Sequence, residues 1–416
     1  MVFESSLPRV GVLFKSVSSV SPLQIVSSSR EIVQPVFLVD DVHQFDKKQL
    51  DILKKKFVVE NIKNKEINEI AERCIDLELH GLVTFSESEV ENVAIICEKN
   101  GYISFSPKTG KYLQEKYLQR QALKGMHNSV RCCFFNKWLH DSILRKKIGF
   151  PVVIKPCRGA GSKWTKLVYS SEEAKEFEKK IPTNMSFVVE EYLKGEANQC
   201  NNFEIGDYIS VEGIHSNGLY LPVGITGKLP ISNNFSETGM FFPYKLNQKL
   251  ECEVIKQCQE ASKRLKITNG ITHIEIKLTD RGPRIIEVNG RLGGYIYDLV
   301  KQQMGVDLIS IAFKIAINCN LDISDFRIQV PKLAFQKFII PKINHRCMFK
   351  NCRVLSTDKK VRIEFIKRYG DILDPLFGSY NNIGIIYGEA KDIQELIQIN
   401  KELQNSIVIE TERIDG

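Results

Sequence analysis

The chain of 416 residues is 43% hydrophobic and 26% charged, a balance that excludes a disordered or fibrous protein and gives material for two to four domains. No apolar run approaches the roughly 18 residues that span a bilayer, and the opening MVFESSLPRVGVLF lacks a basic stretch before its apolar strand; the expectation is a cytoplasmic protein with no membrane partner. The net charge of +8 could suit nucleic acid, a membrane surface or small anionic ligands, but it is spread along the chain without a zinc-finger, RNP-like or helix-turn-helix signature, which argues against nucleic acid.

From Arg9 to about Phe105, short apolar strands (10–14, 35–40, 55–60, 80–85 and 101–106) alternate with helical stretches (46–56, 66–77 and 86–99). That alternation predicts a small parallel α/β sheet. Ser86 followed by Glu89 predicts a capping box on the third helix. No glycine-rich fingerprint follows the first strand, so NAD binding by that route is not expected. The 11 cysteines are scattered, with Cys132 and Cys133 adjacent and no paired CxxC, which points to free or buried thiols; Cys347 and Cys352 come nearest to a metal pair.

A basic helix is expected over 109–124, with Lys111, Lys116, Arg120 and Lys124 on neighbouring turns. For any one of these cations a solvated face is the ordinary reading. The strand FPVVIK (150–155) is nearly all apolar and ends on Lys155, a cation that must face a cleft or a partner. Next comes the loop 156–163, PCRGAGSK, whose backbone N–H groups could fold over phosphates with Arg158 and Lys163 adding charge, or could be a plain turn. After a helix over 171–180, a strand over 186–190 runs into Glu191, Tyr192 and Leu193, where backbone groups beside an apolar side chain suit a purine ring or a simple continuation of the sheet.

Beyond a loop of undefined shape at 194–205, strands are expected over 208–213, 219–228 and 235–242, and a helix over 248–264. The stretch 272–294, THIEIKLTDRGPRIIEVNGRLGG, reads as two strands joined by a turn at 279–283. Glu275 lies on the first strand, Glu287 and Asn289 share one face of the second, and Arg291 follows where that strand ends. Three hard oxygen donors beside a cation suit Mg²⁺ held between protein and phosphate, although a salt-bridged hairpin edge would use the same residues. Helices follow over 296–304 and 308–318. The remainder, from about 322 to 416, reads as a separate α+β lobe with a helix over 391–404.

Taken in order, these parts resemble the ATP-grasp superfamily, and within it the carboxylate-amine ligases such as L-amino-acid (dipeptide) ligases and carnosine synthases. The motifs cover 111–320. Lys116 and Lys155 resemble the two nucleotide lysines, and Arg158 to Lys163, with Gly161 and Ser162, the mobile phosphate loop. Glu190, Glu191, Tyr192 and Leu193 resemble the adenine hinge. Glu275, Glu287 and Asn289 match the family's metal ligands, and Arg291 matches the arginine beside the acyl phosphate. His273, Lys228 and Glu237 resemble residues near the acceptor or the nucleotide, with Glu212, Gly293 and Gly294 on the substrate side. The family's acidic ribose ligand is replaced by Tyr208, so Glu196, Asp207 or Glu212 would take that role.

The resemblance implies an ATP-grasp fold of mixed α/β and α+β class. An N-terminal Rossmann-like pre-ATP-grasp domain (1–108) would precede a small (109–185) and a large (186–320) ATP-grasp subdomain and a C-terminal α+β lobe (321–416). The implied activity is ATP-dependent, ADP-forming ligation of a carboxylate to an amine through an acylphosphate. The implied cofactors are ATP with Mg²⁺ (or Mn²⁺), the partners small carboxylates and amines, with a homodimer left open. Arg291 would stabilise the oxyanion, while Glu237 or Glu212 would face a substrate ammonium. The alternatives are another carboxylase or purine-type ligase of the superfamily, or a nucleotide-binding module whose catalysis has lapsed.

Overall fold

Four short apolar strands at the start of the chain, β1 (Arg9–Phe14), β2 (Gln34–Val39), β3 (Val59–Asn61) and β4 (Gly81–Val83), pair in parallel in the order β3-β2-β1-β4. The computed structural model describes residues 7–15, 17–40, 47–196, 204–232, 234–321, 331–355 and 361–414, so most of the loop expected at 194–205 lies outside the described residues. The near-continuous apolar runs of β1 and β2 are buried, as strands covered on both faces require.

Three details of the N-terminal segment differ from expectation. No strand forms over 101–106, because Gly101, at φ +69°, ends the helix Val90–Asn100 and the chain runs on to Ser106, whose hydroxyl caps the helix Pro107–Gln114. The capping box at Ser86 is absent: its Oγ accepts from Lys15 N (3.2 Å), and the Glu89 carboxylate pairs with Lys15 Nζ (2.8 Å). A helix not foreseen, Pro22–Ser29, fills the β1–β2 crossover, started by a capping box between Ser21 and Gln24.

The basic stretch 109–124 is two helices, Pro107–Gln114 and Lys116–Ala122, broken at Glu115 (φ −114°, ψ 108°). The Glu115 carboxylate accepts from Tyr117 N and Leu118 N, and Lys116 N donates to Cys157 O (2.8 Å), so the second helix is anchored beside the loop it faces. A four-stranded antiparallel sheet follows, β5 (Cys132–Phe134), β6 (Val152–Pro156), β7 (Lys166–Val168) and β8 (Phe187–Glu191), in the order β5-β8-β6-β7.

The next strands are β9 (Tyr208–Ser216), β10 (Leu219–Lys228), β11 (Gly239–Phe242), β12 (Gly270–Thr279), β13 (Gly282–Asn289) and β14 (Leu333–Phe338). β15 (Cys347–Val354), β16 (Arg362–Phe365), β17 (Ile372–Leu373), β18 (Gly384–Ala390) and β19 (Ile407–Arg413) complete the chain. Eight of these form one antiparallel sheet, β13-β12-β9-β10-β11-β14-β18-β16. The C-terminal segment is therefore not a lobe apart: β14, β18 and β16 extend the central sheet, and only β17-β15-β19 make a sheet of their own.

The central sheet divides its side chains by the two-residue period. On β12, Ile274, Ile276 and Leu278 enter the core beneath the helix Gln248–Arg264, while His273, Glu275 and Lys277 point the other way. Among the described residues the cysteines are free thiols, and no helix is long and apolar enough to cross a membrane.

Candidate active site

The cleft between the antiparallel four-stranded sheet β5-β8-β6-β7 and the eight-stranded sheet gathers most of the cations and carboxylates singled out in the sequence. Lys155 leaves β6 with Nζ 2.8 Å from Glu190 Oε2. Arg120 forks onto the same carboxylate at 2.7 and 3.1 Å, and its other donors reach the Ile285 and Ile286 carbonyls of β13. Burial alone would raise the Glu190 carboxyl; Arg120 and Lys155 outweigh it and hold it down to about 2. Glu191 takes Arg131 (2.9 Å) and Arg284 (2.6 Å), and Tyr192 N donates to Pro151 O, which fixes the strand end where Tyr192 and Leu193 line the cleft.

Across the cleft, Glu275 and Glu287 are direct cross-strand partners on β12 and β13, beside a register shift at Ile286. Lys116 Nζ lies 2.8 Å from Glu287 Oε1 and 2.7 Å from Gly159 O, which joins the loop, the helix and the metal-type carboxylates at one point. Asn289 Nδ2 donates to His273 O (3.4 Å). Burial works to raise the Glu275 carboxyl, but His273, Lys228 and Arg291 bring it down to about 2. The Glu275 and Glu287 carboxylates line the cleft and fit a hard cation that draws its other ligands from phosphate and water, whereas Asn289 is buried and does not line the cleft. Among the described residues there is no group of three His, Cys, Asp or Glu side chains placed to hold a metal ion.

Behind Glu275 lies a buried pair. His273 Nδ1 is 2.6 Å from Glu212 Oε1, and His273 Nε2 is 3.5 Å from Glu275 Oε1. Burial lowers the imidazole pKa, but Glu212 and Glu275 reverse the effect and lift it to about 9. Neither Glu212 nor His273 reaches the cleft wall. A Cβ on Gly293 would stand 2.4 Å from His273 Nδ1, so the backbone after Arg291 can approach the ring only as glycine; a Cβ on Gly294 would meet nothing.

The other sequence-derived residues separate into those the fold brings to the cleft and those it does not. Gly161, Ser162 and Lys163 line it, as does Glu237, whose carboxylate holds the buried Lys228 at 2.7 Å. Arg158 is turned out of the cleft toward Glu91 (2.7 Å) and Gln114 (3.1 Å). Of the ribose candidates, Asp207 is paired with Lys277, which does line the cleft, whereas Glu196 is fixed through its backbone to Leu278 O. Arg291 sits beside the cleft with Nε 2.8 Å from Glu87 of the N-terminal segment.

Sequence reasoning passed over Lys277, Glu87 and Ser379. Lys277 was within reach of the two-residue period that found Glu275. Glu87 and Ser379 meet the site only through the fold, Ser379 by donating its N–H to Gly161 O (2.8 Å) and accepting at Oγ from Glu237 N (3.1 Å).

Two antiparallel sheets closing on a cleft, with Lys155 on one, the in-register carboxylates Glu275 and Glu287 on the other and Lys116 on a helix beside them, make the ATP-grasp fold. Residues 148–298 match the model of the ATP-grasp domain. The chain is 27% identical over 269 residues to alanine–anticapsin ligase of Bacillus subtilis (strain 168), covering 60% of this chain and 57% of that protein. It is 23% identical over 269 residues to carnosine synthase 1 of Homo sapiens, covering 59% and 31%. It thus spans little more than half of the first relative and under a third of the second. In fold it resembles an L-amino acid ligase from Bacillus licheniformis (TM-score 0.76, 18% identity, 97% and 98% of the two chains) and phosphoribosylglycinamide synthetase from Anaerococcus prevotii (TM-score 0.67, 18% identity, 97% and 99%).

Proposed function

We propose that the chain is an ADP-forming ligase that joins a carboxylate, that of an amino acid, to an amine through an acylphosphate. The observation that carries this reading is the in-register pair Glu275 and Glu287 facing Lys116 and Lys155 across one cleft. Lys116, Lys155 and the loop Gly159–Lys163 receive the nucleotide phosphates; the strand end Glu191–Leu193 takes the purine. Glu275 and Glu287 would hold Mg²⁺, which neutralises charge on the outer two phosphoryl groups when bound.

The rest follows from positioning and charge. Arg291, fixed by Glu87, steadies the substrate carboxylate for attack on the γ-phosphorus and then stabilises the oxyanion formed when the amine adds to the acyl carbon. Glu237 faces the substrate ammonium. The loop over the cleft keeps water from the acylphosphate. The similarity to amino-acid ligases in sequence supports this substrate class.

The test is ADP and phosphate release that requires both an amino acid and an amine, with label from an ¹⁸O-carboxylate appearing in phosphate. AMP and pyrophosphate as products would overturn the mechanism. Glu287→Gln keeps the shape and loses the charge, so it is expected to abolish ADP formation in a folded protein; near-normal turnover would remove the metal assignment.

A further inference from the structure

Five cations line the cleft, and four are already held by carboxylates: Lys116 by Glu287 (2.8 Å), Arg120 by Glu190 (2.7 Å), Lys155 by Glu190 (2.8 Å) and Lys277 by Asp207. Lys163 differs. Its Nζ lies 4.9 Å from the centroid of the Phe377 ring and 6.0 Å from that of Tyr380, and among the described residues it meets no carboxylate.

We propose that Phe377 and Tyr380 are positioning residues for Lys163, an aromatic cradle that holds the loop lysine over the cleft with its charge unspent for the outer phosphates of the nucleotide. The proposal rests on the reading of the cleft as an ATP site.

A carboxylate partner neutralises a lysine, so an arriving phosphate must share or displace it. A ring face attracts the same ammonium through its quadrupole but leaves the net charge intact. A flexible four-carbon side chain on a glycine-rich loop is thereby given a direction without losing what it offers a polyanion.

The rings and the loop are also one unit. Gly161 O accepts from Ser379 N (2.8 Å) and Trp164 N donates to Leu376 O (2.7 Å), so backbone bonds flank the lysine on both sides. The Tyr380 ring lies 3.0 Å from where a Cβ on Gly161 would stand, and Gly378 packs so closely that its own Cβ would meet Gly161 O at 2.3 Å. Phe377 and Tyr380 are half-buried, seated by a turn whose start is fixed by Asp374 accepting from Leu376 N (2.9 Å).

The experiment measures the affinities of Mg-ATP and AMP by calorimetry for the full chain and for Phe377→Leu, Lys163→Met and their double variant, with melting curves to confirm folding. Phe377→Leu is expected to weaken Mg-ATP roughly three- to tenfold while leaving AMP unchanged. In the Lys163→Met background the same change is expected to do little, because the cation that the ring serves is gone. Phe377→Trp, which keeps an aromatic face, is expected to retain wild-type affinity. Should Phe377→Leu fail to fold, Tyr380→Leu is read against the same criteria.

An unchanged Mg-ATP affinity in Phe377→Leu, or an equal loss with and without Lys163, would overturn the cradle and assign the rings to packing alone. Absence of Mg-ATP binding in the wild-type chain would overturn the nucleotide reading, and the cradle with it. Binding with uncoupled variants would overturn the cradle only.

Discussion

Buried charge persists at this site because carboxylates and cations are shared. Glu190 serves Arg120 and Lys155 together, and the sharing overcomes a burial that would otherwise protonate it. His273 shows the opposite shift, since its imidazole is held charged between Glu212 and Glu275 with a pKa raised from 6.5 to about 9. A raised folded-state pKa contributes stability that is complete below the unfolded value and is lost as pH rises through the folded one. The folded state should therefore weaken between pH 6.5 and 9 by an amount on the order of 3 kcal/mol. His273→Gln should flatten that part of a urea-unfolding series taken against pH. If wild type and variant decline in parallel, His273 is not the titrating group.

Elements whose boundaries are set locally were legible in the sequence, and those set by distant contacts were not. The helix Gln248–Arg264 and the hairpin Gly270–Asn289 carry their own periodicity, and the same period placed Glu275, Glu287 and Asn289 on one face. The break at Glu115 was hidden because Lys111, Lys116 and Arg120 fit one continuous helix; what divides it is a carboxylate cap together with a bond from Lys116 N to Cys157 O. The turn Pro375–Asn381 gave no signal either, since its importance lies in meeting a loop some two hundred residues earlier. At that junction Gly378 has φ +56°, and a Cβ there would collide with the backbone of Gly161 and Ser162. Gly378→Ala should cost roughly 1–3 kcal/mol through strain and clash. It should also speed hydrogen exchange at the amides of Ser379 and Trp164, which bridge turn and loop. Exchange as slow as in wild type at both amides would show that the junction does not hold the loop.

At the scale of the whole molecule, the central sheet does not end where the domain pattern of the sequence places its boundary. β11 pairs on one side with β10 and on the other with β14, which lies about ninety residues further along, beyond the helices Ile296–Met304 and Leu308–Ala316. β14 then carries β18, and β18 carries β16, so three strands of the C-terminal segment sit in register with the strands that bear the site. One apolar core contains Ile274, Ile276 and Val288 from the hairpin Gly270–Asn289 together with Phe335, Ile386 and Leu396 from the C-terminal segment. A chain cut after residue 321 would keep every residue named by the ATP-grasp motifs. It would nevertheless leave β11 as an unpaired edge, strip that core of one wall and remove the turn that meets the glycine-rich loop 159–163. If the C-terminal segment were a separable lobe, the truncated chain would remain soluble, melt cooperatively and bind Mg-ATP nearly as the full chain does. The shared sheet leads to the opposite expectation: aggregation or dye-binding apolar exposure, no cooperative melt, and loss of nucleotide binding, read by thermal unfolding and calorimetry on the 1–321 fragment. A cooperative melt with retained Mg-ATP affinity would mean that β14, β16 and β18 add to the sheet without being needed to form it.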